Sequence, residues 1–135
     1  MIGVGQETRG VLVLTERMLL GVAAAFMLLD AVGYSLGALG PIQRALKPPD
    51  QYWRRRLLLN VLLANQGLYF AGVTAVVGAI YVDTQPRAAQ AIEILCLVTC
   101  AYTLVTVPLI TPKDWSHVVP RGLAGVLIVA ALTLR

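Results

Sequence analysis

Asp30 and Tyr34 lie four residues apart inside a hydrocarbon-like run. Asn65 and Tyr69 repeat that spacing in a second run, with Gln66 beside them. A third run carries Glu93, Cys96 and Cys100, three and then four residues apart, with Tyr102 further on. Side chains three or four residues apart share one face of a helix. A carboxyl group in apolar surroundings is a candidate acid or base, and amides and phenols are candidate partners for a bound polar head. The same groups have a structural reading. Asn and Gln bond across helices as packing glue, and an acid can bond a backbone carbonyl or a tyrosine.

Whether such groups meet depends on the elements that carry them. The chain has 135 residues, 58% hydrophobic and 13% charged, with a mean hydropathy of +0.75. Soluble domains carry about 25% charged residues, so this chain cannot cover itself with a polar surface. The composition implies an integral membrane protein. At roughly 20 residues per span plus short loops, the length suits one domain of four transmembrane helices. The net charge of +4 does not form a basic stripe interleaved with aromatics, which excludes a nucleic-acid partner.

The expected fold class is all-α: a bundle of four antiparallel transmembrane helices joined by short loops. The spans are read as 17–39, 57–81, 88–110 and 118–134, with residues 1–16 as an interfacial lead-in. The first connection, 40–56, holds the helix breakers Pro41, Pro48 and Pro49. Its Tyr52 and Trp53 suit the headgroup level. Arg44, Lys47, Arg54, Arg55 and Arg56 in that connection join Lys113 and Arg121 around the third. Arg9, Arg17, Arg87 and Arg135 lie on the other side. Basic loops stay cytoplasmic, so a plasma or inner membrane location follows, with loops one and three inside and both termini outside.

At a rise of 1.5 Å per residue, Asp30 and Asn65 fall near mid-membrane, where they are expected to meet, and Glu93 falls about 9 Å toward the outer face. Glu93 would reach them only through tyrosines or water. Gly33 and Gly37 form a GxxxG in the first span, and Gly67, Ala71, Ala75 and Ala79 recur every fourth residue in the second. Such rows let helix backbones approach in lipid. Cys96 and Cys100 read as small apolar fillers; no histidine joins them, and zinc wants four ligands. His117, the one histidine, and Arg121 read as lipid-headgroup contacts at a membrane edge. The Arg54, Arg55, Arg56 run is a topology signal or a holder of anionic headgroups. No GxSxG, P-loop, HExxH or dinucleotide fingerprint occurs, and no metal or cofactor is expected.

The run Ala64-Asn65-Gln66-Gly67-Leu68-Tyr69 resembles the "NQGLY" signature of a bacterial family of small four-helix membrane proteins catalogued as domain of unknown function 1304. Asp30 with Tyr34 is similar to the acid and tyrosines of that family's first helix. Arg121 to Leu132, "RGLAGVLIVAAL", is similar to its glycine-led last helix. The resemblance implies a fold and a membrane location, not an activity.

Two functional expectations follow. One is a non-enzymatic bundle: a small carrier, or an accessory subunit of a larger membrane complex, with homo-oligomerisation needed for a carrier this small. The other is an intramembrane acid–base enzyme, such as an isomerase, cyclase or epoxide-opening hydrolase, on a small lipophilic substrate. There Asp30 and Glu93 would be catalytic, and Tyr34, Asn65, Gln66, Tyr69 and Tyr102 would bind the ligand.

Overall fold

Apolar runs divided by proline-containing connections fold into four helices: α1 (Gly3–Ala45), α2 (Gln51–Tyr81), α3 (Pro86–Ile110) and α4 (Trp115–Thr133). The structure is a computed structural model. It describes the backbone of residues 3–45, 51–110 and 115–134, and the side chains of 6–37, 40, 44, 51–52, 55, 65–106 and 115–134. Among the described residues there is no strand, so the fold class is all-α as the composition requires.

The helices form a ring. α1 packs on α2 and α4, and α3 packs on α2 and α4. Neighbours run antiparallel, because contacts step up one helix as they step down the next. Asn65 meets Ser35 midway along α2, and Gly78, near the end of α2, approaches Leu20, fifteen residues earlier in α1. Along α2–α3, Gly67 lies by Thr99 and Gly78 by Ile92.

The core is built from small side chains. Ala23, Ala24, Ala31, Ala71, Ala75, Ala124 and Ala131 are buried between the helices with Leu20, Met27, Leu68 and Ile128. In lipid such residues are what allow close backbone approach and dispersion contact. The tightest seam is at Gly72, where a Cβ would stand 2.6 Å from Leu28 Cγ and 3.5 Å from the Ala24 carbonyl oxygen. Only glycine fits there without displacement. Of the small-residue rows read from the sequence, Ala71 and Ala75 are in the core. Among the described residues nothing comes within 4 Å of a Cβ at Gly33 or Gly37, so the GxxxG of α1 takes no part in the packing these residues make.

The outer surface is apolar. Leu29, Leu36, Phe70, Val98, Val105 and Val126 are each more than half exposed. Monomeric soluble proteins rarely show a continuous apolar belt of this kind. Three helical stretches, Gln6–Gly37, Pro86–Thr106 and Trp115–Thr133, are long and apolar enough to cross a bilayer among the described residues. By length and composition this is a membrane protein.

The helices are longer than the expected spans. α1 begins at Gly3, so the expected interfacial lead-in is continuous with the first span. It also runs past Pro41 to Ala45. A proline removes one ladder bond, a cost of about 3 kcal/mol, which a helix of 43 residues absorbs near its end. Pro48 and Pro49 lie outside the described residues. α4 begins at Trp115 and accommodates Pro120 close to its start. This three-residue extension beyond Val118 brings His117 onto the helix and changes its role.

Candidate functional site

Two adjacent faces of α1 each present a pair of residues four apart. Asp30 and Tyr34 point to α4; Ala31 and Ser35, rotated by about 100°, point to α2. Each pair meets a matching pair on its antiparallel neighbour.

On the α4 side the partners are His117 and Arg121, again four apart and hence on one face. Arg121 Nε–H donates to Asp30 Oδ2 at 2.6 Å. His117 Nδ1 lies 2.6 Å from Asp30 Oδ1. An ionised carboxylate has only acceptors, so Nδ1 carries the proton and donates. The Tyr34 ring meets the imidazole edge-on, with centroids 4.9 Å apart and planes at 73°. Such aromatic pairs add attraction beyond buried area. Both sides of the ion pair are sequestered: the Arg121 side chain is 4% exposed and that of Asp30 2%. Leaving one such charge buried without the other costs about 3–5 kcal/mol.

On the α2 side the hub is the Ser35 hydroxyl. It donates to the Ala31 carbonyl at 2.8 Å. It accepts from Asn65 Nδ2 at 3.2 Å and lies 3.2 Å from the Tyr69 hydroxyl. A serine has one proton to give and two lone pairs to offer. With its proton on Ala31, the Tyr69 hydroxyl must be the donor, and Ser35 is fully satisfied. Asn65 and Tyr69 therefore tie α2 to α1.

The cysteines form a third polar seam, between α3 and its neighbours. Cys96 Sγ donates to the Ala71 carbonyl at 3.3 Å and lies 3.4 Å from Thr74 Oγ1. Cys100 Sγ reaches Met27 Sδ at 3.5 Å across the middle of the bundle. Both are free thiols, buried as weak donors and fillers.

These arrangements change several sequence expectations. Asp30 and Asn65 do not meet, because successive α1 faces direct them to different neighbours. Arg121 is not a headgroup contact but is 3% exposed inside the bundle. His117, also expected at the lipid edge, is turned inward onto the same carboxylate. Glu93 is fully buried but lies beside Ile92, at the level of Gly78 and Leu20. That is ten residues along α1 from Asp30, or about 15 Å, so Glu93 and Asp30 do not share a site. Tyr102 is 69% exposed on the outer face of α3, away from both clusters. Gln66 is exposed as well. Arg55 is exposed, while the side chains of Arg54 and Arg56 lie outside the described residues.

Ser35 and the inward role of His117 were missed in the sequence. The signal for His117 was present in its spacing from Arg121, which repeats that of Asp30 and Tyr34. It was hidden by starting the fourth helix near Val118. Ser35 had no such signal, since a single serine in an apolar helix most often bonds its own i−4 carbonyl, as this one also does.

No protein-family model, no curated protein and no solved structure matches the chain.

Proposed function

We propose that this protein is a non-enzymatic membrane bundle that acts as an accessory subunit of a larger membrane assembly, its polar clusters serving as internal clamps. The observation that carries this reading is the Asp30 carboxylate, both of whose oxygens accept short hydrogen bonds, from Arg121 and His117. A carboxylate so committed holds helices in register and is poorly placed to take a proton from a substrate. The alanine-filled core favours a static bundle over the alternating cavities of a carrier. The four-helix order and the 64–69 motif support membership of the small four-helix family that the sequence resembles. The balance of basic residues supports loops one and three on the cytoplasmic side of the plasma or inner membrane.

Native mass spectrometry of protein extracted gently from its own membrane tests this. The expected spectrum holds the chain with a larger membrane protein at fixed stoichiometry, and that association survives Tyr34→Phe and Asn65→Leu. A small lipophilic molecule bound to the chain alone, and lost on mutating Asp30 or Asn65, would overturn it.

One contact favours a second reading. A carboxylate fixing Nδ1 of an imidazole is how hydrolases orient a histidine base, so an intramembrane acid–base enzyme would use His117 with Asp30 in place of Glu93. Arg121 on the same carboxylate weighs against it, because it draws off the negative charge that would stabilise an imidazolium. Turnover of a lipophilic ester or epoxide lost in His117→Gln, with the fold intact, would establish this reading instead.

A further inference from the structure

At the end of the bundle away from Asp30, α1 outreaches its neighbours. α2 stops at Tyr81 and α3 starts at Pro86, whereas α1 continues back to Gly3. Leu20 lies beside Gly78, so one turn further on Arg17 stands level with the end of α2. The turn from Val82 to Gln85 marks the edge of the hydrocarbon, because non-helical backbone cannot face lipid tails. Arg17 is thirteen residues, about 20 Å, from Asp30 along α1, and Arg9 lies about 12 Å further out.

The two arginines line one groove. Gln6, Arg9, Gly10, Val13 and Arg17 form its α1 wall, and Asp83 of the turn faces them across a volume of about 470 Å³. Arg9, Arg17 and Asp83 are exposed. Among the described residues neither arginine makes a hydrogen bond or an ion pair. No acid occurs among residues 1–5, and Asp50 and Asp114 belong to the first and third connections, whereas Asp83 belongs to the second. Two guanidinium groups against one carboxylate leave the groove net positive.

Charge and depth select the same occupant. A guanidinium group matches phosphate oxygens as a planar fork of donors. A group held midway between Arg9 and Arg17 stands about 6 Å beyond the turn. That is inside the headgroup layer, which extends about 5–8 Å from the hydrocarbon on each side. Leu14, 59% exposed, also lines the groove and continues it with apolar surface.

We propose that this groove binds an anionic phospholipid, with its phosphate between Arg9 and Arg17. Gly10, where a Cβ would meet nothing within 4 Å, leaves room for the headgroup between the two side chains. Asp83 accepts from a headgroup hydroxyl, as a glycerol headgroup offers. The net positive lining favours phosphatidylglycerol over zwitterionic phosphatidylcholine. The site goes beyond the accessory-subunit reading and rests only on the membrane placement of the helices.

Native mass spectrometry of the full chain, in micelles holding equal amounts of those two lipids, tests it. One phosphatidylglycerol should be retained per chain. Arg9→Gln combined with Arg17→Gln should weaken that retention roughly tenfold or more. Gly10→Leu keeps every charge but fills the space between the arginines, and should weaken it too. Arg87→Gln removes an exposed arginine at the same end that does not line the groove, and should change nothing. All variants should keep the parent's melting temperature, so that lost binding is not lost folding. Equal retention of the two lipids, unchanged binding in both groove variants, an equal loss in Arg87→Gln or a fallen melting temperature in the arginine variant would each overturn the site. Glycerol 1-phosphate separates a lipid from a free phosphate ester. Full displacement of the lipid by an equal concentration of it would mean that the groove takes the phosphate alone, and would overturn the lipid assignment.

Discussion

Arg121 Nε sits 2.6 Å from Asp30 Oδ2, joining the first and last helices of the bundle through a charge pair almost wholly removed from solvent. The residues are 91 positions apart in sequence. In hydrocarbon the pair is strongly asymmetric: together the charges offset one another, and singly each is costly.

That asymmetry predicts a double-mutant result. Asp30→Leu or Arg121→Leu alone should destabilise the folded bundle by about 3–5 kcal/mol, and the double variant by far less than the sum. Reversible unfolding in mixed micelles measures all three. Additive effects would mean that the two side chains do not depend on each other. Arg121→Lys should not rescue the pair, because lysine lacks the planar Nε donor that this geometry uses.

Gly72 and Leu28 should be coupled too, through packing rather than charge. Gly72→Ala puts a Cβ 2.6 Å from Leu28 Cγ and should cost about 1–3 kcal/mol by overpacking. Leu28→Ala in the same chain should relieve most of that. Gly33→Ala, where a Cβ meets open space, should be neutral or stabilising by up to about 1 kcal/mol through helix propensity. Thermal unfolding of the three variants decides it.

Ser35→Ala should cost more than Tyr69→Phe. Tyr69→Phe removes one of three bonds at the hub, worth about 1 kcal/mol. Ser35→Ala removes the acceptor for both Asn65 and Tyr69 and leaves a buried amide unsatisfied, about 1–3 kcal/mol. An equal loss in both variants would show that Asn65 finds another acceptor.

Topology is open to a labelling test. With loops one and three cytoplasmic, a cysteine replacing the exposed Asp83 in the second connection should react with an impermeant maleimide in intact cells. One replacing the exposed Tyr52 should react only after permeabilisation. Both positions are solvent-accessible in the fold, so reversed labelling would mean a reversed orientation.

The native thiols should be silent. Cys96 and Cys100 are both fully buried, so neither should be alkylated by N-ethylmaleimide in the folded protein. Both should react in full once it is unfolded in dodecyl sulfate. Alkylation of the native chain would mean that the core opens.

The amino-acid sequence by itself determined that this is a helical membrane protein. That follows from composition, since 13% charged residues cannot clothe a soluble surface and apolar runs in lipid must satisfy their backbone as helices. It also determined which polar residues share a face, because the 3.6-residue period is local. Asp30 with Tyr34, Asn65 with Tyr69 and His117 with Arg121 are all legible as pairs in that period, once α4 is given its full length. The tertiary structure decided which pair meets which. Positions 30 and 31 differ by about 100° around α1, and this rotation alone sends the carboxylate to α4 and, through Ser35, the hydroxyl to α2. Depth counted along separate helices brought Asp30 and Asn65 to one level and suggested that they touch. Azimuth, which depends on how all four helices pack, keeps them apart.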